Sequence, residues 1–189
     1  QALVNRGFRT ASFKCGPDYI DPMFHREVLG IDSENLDLYF CDRERLKERF
    51  MHHAEGAELV VTEGVMGYYD GISLDSDQAS TYDVARTLGL PVILVVPAST
   101  ILAVLKGMIE YRNDSNIRGI ILNRISPMLY PKMKKMIEEG LQTMGFQVQV
   151  VGYVPEEGAF HLESRHLGLM LPEEIGNLKQ QIDRAAEIL

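Results

Sequence analysis

The feature that most constrains this chain is a repeated alternation. Short, uninterrupted apolar runs are each followed by a longer stretch whose apolar residues recur at helical spacing. The run at 91–96 is apolar and mostly β-branched, and after Ser99 the residues Ile101, Val104, Leu105 and Met108 share one helical face. The same reading predicts strands at 9–14, 59–62, 91–96, 117–122 and 147–151. It predicts helices at 42–54, 80–88, from Ile101 onward, at 130–144 and at 173–189. Residues 15–32, rich in Gly, Pro and Asp, read as a loop. Gln1 to Gly7 read as the end of a helix with Gly7 at its C-terminal cap. Runs that are apolar throughout imply strands covered on both sheet faces. The expected fold class is therefore α/β, a doubly wound, mainly parallel sheet with helices on both faces.

No linker, internal repeat or low-complexity segment interrupts the 189 residues, a length that suits one domain with its own core. The formal net charge of −8 excludes attraction of nucleic acid by the bulk field, which leaves small molecules or proteins as partners. The longest apolar run, 90–98, is too short to cross a bilayer, so no membrane role is expected. Two cysteines, Cys15 and Cys41, make neither a disulfide framework nor a zinc site, and free thiols fit a cytoplasmic location. His52 and His53 are adjacent on a helix and diverge, while His25, His161 and His166 lack ligand spacing.

Open α/β sheets bind ligands beyond the carboxyl ends of their strands. Those ends carry Lys14, followed by Asp18 and Asp21, then Glu63 before Gly64, and Asn123 followed by Arg124. A lysine neutralises phosphate oxygens, a carboxylate holds Mg²⁺, and glycines admit an anion to backbone amides. Taken alone, Lys14 reads more readily as a solvated strand-end lysine, and Asp18 and Asp21 read as turn formers beside proline. Glu63, directly after an apolar strand and before a glycine, divides evenly between a metal ligand and a surface residue. Physical reading stops at a nucleotide- or anion-binding α/β domain.

Four segments go further. Lys14-Cys15-Gly16-Pro17-Asp18-Tyr19-Ile20-Asp21-Pro22 with Phe24-His25 is similar to the first-loop signature of the cobyrinic acid a,c-diamide synthase family. Glu63-Gly64-Val65-Met66-Gly67-Tyr68-Tyr69-Asp70-Gly71 resembles that family's second glycine-rich motif. Asn123-Arg124 and His166-Leu167-Gly168-Leu169 match two shorter motifs, in the same order. The resemblance implies a P-loop NTPase-like, dethiobiotin synthetase-like fold, with residues 1–189 forming a single partial ATP-dependent amidation domain. It implies a glutamine-dependent, ATP-driven ligase of cobalamin biosynthesis. ATP phosphorylates the a and c side-chain carboxylates, and ammonia from a C-terminal glutaminase domain displaces the phosphate.

By the same resemblance, Lys14, Asp21 and Glu63 are catalytic, with Glu63 and Asp21 holding Mg²⁺. Asp18, Tyr19, Asp70 and His166 face the corrinoid, and Asn123 and Arg124 bind the nucleotide. The family's phosphate loop is expected before Gln1 and its glutaminase domain after Leu189, so residues 1–189 alone are expected to be inactive and to bind ATP weakly. A gap beside the strand at 59–62 is expected to be closed by shifted strands or by a second copy, giving a homodimer. Two alternatives remain. One is a nickel-sirohydrochlorin a,c-diamide synthase, acting on another tetrapyrrole. The other is a nonenzymatic partitioning-type ATPase-like module.

Overall fold

All five expected strands form. In chain order the strands are β1 (Thr10–Cys15), β2 (Ser33–Leu36), β3 (Leu59–Glu63), β4 (Val92–Pro97), β5 (Ile117–Asn123) and β6 (Gln149–Val154), with the short β7 (Ser164–Arg165) and β8 (Gly168–Leu169) beyond. β2 was not among those expected. The helices are α1 (Ala2–Asn5), α2 (Ile20–Leu29), α3 (Arg43–His53), α4 (Thr81–Leu88), α5 (Ile101–Glu110), α6 (Tyr130–Thr143) and α7 (Leu178–Ile188). The computed structural model describes residues 1–99, 101–160, 164–165, 168–169 and 178–189. The start of the expected last helix, 173–177, lies outside them. Among the described residues no helix is long and apolar enough to cross a membrane.

The chain divides into two compact units, Gln1–Leu88 with Gly158–Leu189, and Gly89–Glu157. Each contains one three-stranded parallel sheet, ordered β2-β1-β3 in the first and β4-β5-β6 in the second. A helix intervenes between successive strands from β1 to β6, as parallel pairing requires. The fold class is α/β with parallel sheets, as expected. Within the first sheet β3 bonds to β1, and no strand covers its other edge among the described residues.

The reading of 15–32 as a loop is corrected by α2. The residues taken for turn formers are the start and stop signals of a helix. Asp18 Oδ1 accepts from the backbone N–H of Ile20 at 2.9 Å and of Asp21 at 3.2 Å. Pro22 falls in the first turn, where an N–H has no helical partner. Gly30, at φ 63°, provides the left-handed cap that ends the helix.

The first sheet departs from a purely apolar strand pattern. Along β1, Ala11, Phe13 and Cys15 alternate with Ser12 and Lys14, and all five are buried. The apolar side packs in a cluster with Leu36, Leu46 of α3 and Val84 of α4. The polar side lies under α2, whose own apolar residues Phe24 and Val28 pack on Leu178 of α7. This sheet thus carries helices on both faces. In the second unit Ile120, Leu122, Val150, Leu105 of α5, and Ile137 and Leu141 of α6 are fully buried. Gly140 of α6 brings the two helices together, since any Cβ there would collide with Leu102.

Candidate active site

The register of the first sheet aligns three polar residues in a row. Lys14 on the central strand is the Cα partner of Asn35 on β2 and of Glu63 on β3. In-register neighbours of parallel strands present their side chains on the same face. Lys14 is only 6% exposed. Its Nζ donates to Asp21 Oδ2 at 2.6 Å and to Glu63 Oε1 at 3.0 Å. Lys14 is therefore not the solvated strand-end residue that its sequence position alone suggested. Burial pulls the pKa of the amine down, but the hydrogen bonds and charges of Asp21 and Glu63 outweigh it and leave the pKa raised. The ammonium is firmly held as a cation. Two carboxylates around one lysine leave a formal excess of one negative charge at the end of the central strand.

Helix α2 supplies the cover. Asp21 and His25 stand one turn apart on it, so both face the sheet. His25 Nδ1 lies 3.1 Å from Ser12 Oγ and 3.1 Å from Ser33 Oγ, and its Nε2 lies 3.8 Å from Glu63 Oε2. Burial lowers the pKa of His25, with Glu63 and Asp21 opposing the shift. Asn35 ties the loop that precedes α2 to the sheet, donating to the carbonyls of Gly16 at 2.8 Å and Asp18 at 2.6 Å. Gly16, at φ 79°, makes the turn that a side chain would strain. Tyr19 stands exposed at the start of α2.

The segment after β3 is a braced loop. Thr81 Oγ1 accepts from the backbone N–H of Val65 at 3.0 Å and donates to its carbonyl at 3.1 Å. A Cβ on Gly64 would collide with that threonine. Asp70 Oδ2 accepts from the backbone N–H of Gly67 at 2.9 Å, so this carboxylate holds its own loop.

Of the residues singled out in the sequence, Lys14, Asp21 and Glu63 meet in one cluster, with the carbonyl of Asp18 tied to the same sheet by Asn35. Asn123 and Arg124 belong to the second unit, at the carboxyl end of β5, where Asn123 is in register with Pro97 and Val154. Arg124 takes φ 55° as the chain leaves the strand. His166 lies outside the described residues. Sequence reasoning missed Ser12, His25, Ser33 and Asn35. The available signal was the period-two alternation at 10–15, which marks a second face that is buried and polar.

Among the described residues no group of three or more His, Cys, Asp and Glu side chains is placed to hold a metal ion. Mg²⁺ is commonly bound through one or two carboxylates, with water and phosphate completing its shell. The hard oxygen donors of Glu63 and Asp21 fit that pattern, and the Glu63 side chain is 49% exposed and so reachable from solvent.

Residues 41–163 match the family model of the AAA domain. The chain belongs to the AAA domain family. The matched stretch of this AAA domain takes in Glu63, Asp70, Asn123 and Arg124. The chain is also 41% identical over 191 residues to the cobyrinate a,c-diamide synthase of Clostridium tetani, covering 99% of itself and 42% of that protein. It is 39% identical over 194 residues to the cobyrinate a,c-diamide synthase of Clostridium acetobutylicum, covering 100% of itself and 43% of the relative. It thus spans about two fifths of the length of these curated relatives. Among solved structures it is similar to the MinD cell division protein of Aquifex aeolicus, at 13% identity and a TM-score of 0.49, over 99% of this chain and 86% of that one.

Proposed function

We propose that residues 1–189 belong to one ATP-dependent amidation domain, which converts the a and c side-chain carboxylates of cobyrinic acid to amides. The observation that carries this reading is the buried Lys14 ammonium, 2.6 Å from Asp21 and 3.0 Å from Glu63 at the carboxyl end of β1. The names of the relatives at 39–41% identity support the substrate class. Bound Mg²⁺–ATP would supply the phosphoryl group that turns a carboxylate into an acyl phosphate, and ammonia from a glutaminase domain would then attack the acyl carbon and release phosphate.

The residues divide the work as follows. Lys14 is the fixed cation that offsets charge on the reacting oxygens, and Asp21 and Glu63 keep it charged and aimed. Glu63, half-exposed, and Asp21 behind it would hold Mg²⁺. Asp18, through its α2 cap, shapes the loop that presents the exposed Tyr19 to the corrinoid. Asp70 shapes the second loop, and His166 completes the substrate contacts. Asn123 and Arg124 bind the nucleotide.

The test is amidation by the complete protein. Cobyrinic acid, ATP, Mg²⁺ and glutamine should yield the diamide with release of ADP, followed by mass spectrometry. Conversion of nickel-sirohydrochlorin in place of cobyrinic acid would reassign the substrate. Conversion without ATP would overturn the reading.

A further inference from the structure

Exposed aromatic side chains are unevenly placed on this molecule. Among the described residues the three most exposed are Tyr19 at 80%, Phe40 at 73% and Tyr39 at 67%. All three follow the carboxyl ends of neighbouring strands of the first sheet, Tyr19 after β1 and the other two after β2. Two further exposed aromatics stand elsewhere. Phe8 precedes the amino end of β1, and the Tyr111 ring in the second unit carries the Arg112 guanidinium 4.4 Å from its centre. The turn that bears Tyr39 and Phe40 is fixed by hydrogen bonds. Asp37 Oδ1 accepts from the Tyr39 N–H at 2.7 Å, and the Asp37 carbonyl accepts from the Cys41 N–H at 3.2 Å and from its thiol at 3.0 Å. Leu38 and Cys41 of the same turn pack against the apolar cluster of the first unit, while the two aromatics between them face out. Their rings meet edge to face, with centres 5.0 Å apart and planes at 90°.

The proposed reaction uses Tyr19 but gives Tyr39 and Phe40 no role. Two adjacent aromatic rings held in water forgo the burial that stabilises folding, so they stand ready for a ligand. By chain length alone, the Tyr39 Cα is at most about 11 Å from the Leu36 Cα. Leu36 is the register partner of Cys15, the neighbour of Lys14. The turn therefore stands on the same rim as the cluster of Lys14, Asp21 and Glu63. We propose that Tyr39 and Phe40 form a platform for the flat apolar face of the tetrapyrrole substrate, whose carboxylate arm reaches to the Lys14 cluster. Aromatic faces suit a conjugated macrocycle, and contact through the ring leaves its peripheral carboxylates free for the charged groups. The pair acts in binding and takes no part in phosphoryl transfer. This inference rests on the proposed function for its substrate class, and it adds the residues that hold the ring.

The test uses the complete enzyme with cobyrinic acid as the probe. The double variant Tyr39→Ser with Phe40→Ser should raise KM for cobyrinic acid about tenfold, the scale of a lost stacking contact. KM for ATP and kcat should stay within about twofold, which also shows that the variant is folded. Tyr39→Phe with Phe40→Tyr keeps both rings and should restore KM to near the unaltered value. Phe8→Ser, at the opposite end of β1, should leave KM unchanged. If the double variant fails to fold, Phe40→Ser alone should still raise KM about threefold. An unchanged KM for cobyrinic acid, or an equal rise with Phe8→Ser, overturns the platform and leaves the proposed function standing. A fall in kcat with KM unchanged also overturns it, because the pair would then act on the chemistry. Absence of amidation by the unaltered enzyme removes the proposed function instead. Equilibrium dialysis of cobyrinic acid then decides the platform, which stands if the double variant binds about tenfold more weakly and falls if the two proteins bind alike or not at all.

Discussion

The two parallel sheets of this chain have the same strand count, ordered β2-β1-β3 and β4-β5-β6, yet they bury different things. On β1 of the first sheet, one face holds Ala11, Phe13 and Cys15, while the other holds Ser12 and Lys14. On β5 of the second, Ile117, Ile120 and Leu122 are buried and no charged residue is. Burying an ammonium costs several kcal/mol unless close partners repay it. A sheet built only for stability would use apolar side chains in that position, as β5 does. Among the described residues Lys14 and Asp83 are the buried charged ones, and both are in the first unit. Asp83 is satisfied by Arg43 of α3 at 2.8 Å, by Arg86 at 3.1 Å and by the backbone N–H of Ala79 at 3.1 Å. Lys14 is at the strand end, where ligands of such folds bind. On the proposed function the first sheet would carry the Mg²⁺ and phosphate chemistry, while the second is built around an apolar strand.

The largest expected effect concerns activity. Glu63→Gln keeps the size of the side chain and removes the charge, and the complete enzyme should lose at least about a hundredfold in turnover. Arg118→Gln on β5, an exposed change, should leave turnover within about twofold. Similar losses from both would break the contrast.

Stability should show the reverse ranking. Leu141, fully buried on α6, leaves a cavity when cut to alanine, and the cost should be about 3 kcal/mol by chemical denaturation. Lys14→Met should cost less, about 2 kcal/mol, because the half-exposed Glu63 is partly solvated once its partner goes. A larger cost for Lys14→Met than for Leu141→Ala would mean that the ion cluster is primarily structural.

The same variant exposes a pH dependence. The pKa of Lys14 is raised above its ordinary value of 10.5 in the folded chain. Its contribution to stability is therefore fully present below 10.5 and is lost as pH rises through the raised value. The stability gap between the unaltered chain and Lys14→Met, measured by denaturation, should narrow above pH 10.5. A gap that widens there contradicts the assigned charge state. The smallest effect compares the two thiols. Burial pushes the Cys15 thiol up to about 12 on the sealed apolar side, while Cys41 is partly exposed. Alkylation followed by peptide mapping should modify Cys41 first.

The strands of the second unit were legible because their apolar runs admit no other reading. The helix α3 was legible because Asp42 caps it and Leu46 and Phe50 set its inner face. Helix α2 was not, because Asp18, Asp21 and Pro22 are equally at home in a turn and in a helical first turn. β2 was missed because its sequence, Ser33 to Leu36, has no strand propensity and is held by pairing with β1. Lys14 and Glu63 were legible from their places at strand ends and from the motifs around them. Their meeting with Asp21 follows from register and from α2, neither of which local pattern supplies. His25 entered only as the end of the first motif, and its contacts, like those of Asn35, are with residues distant in sequence, which no spacing announces.

The central claim is that the polar row on the first sheet is where a hard cation is received. Mn²⁺, a paramagnetic stand-in for Mg²⁺, can be titrated into the ¹⁵N-labelled chain while backbone amide signals are followed. The account predicts early broadening at Glu63 and Gly64 and in the loop from Asp18 to Asp21, with the acidic face of α6 around Glu138 and Glu139 affected only at higher concentration. Broadening that begins on α6, with Glu63 and Asp21 untouched, would contradict it.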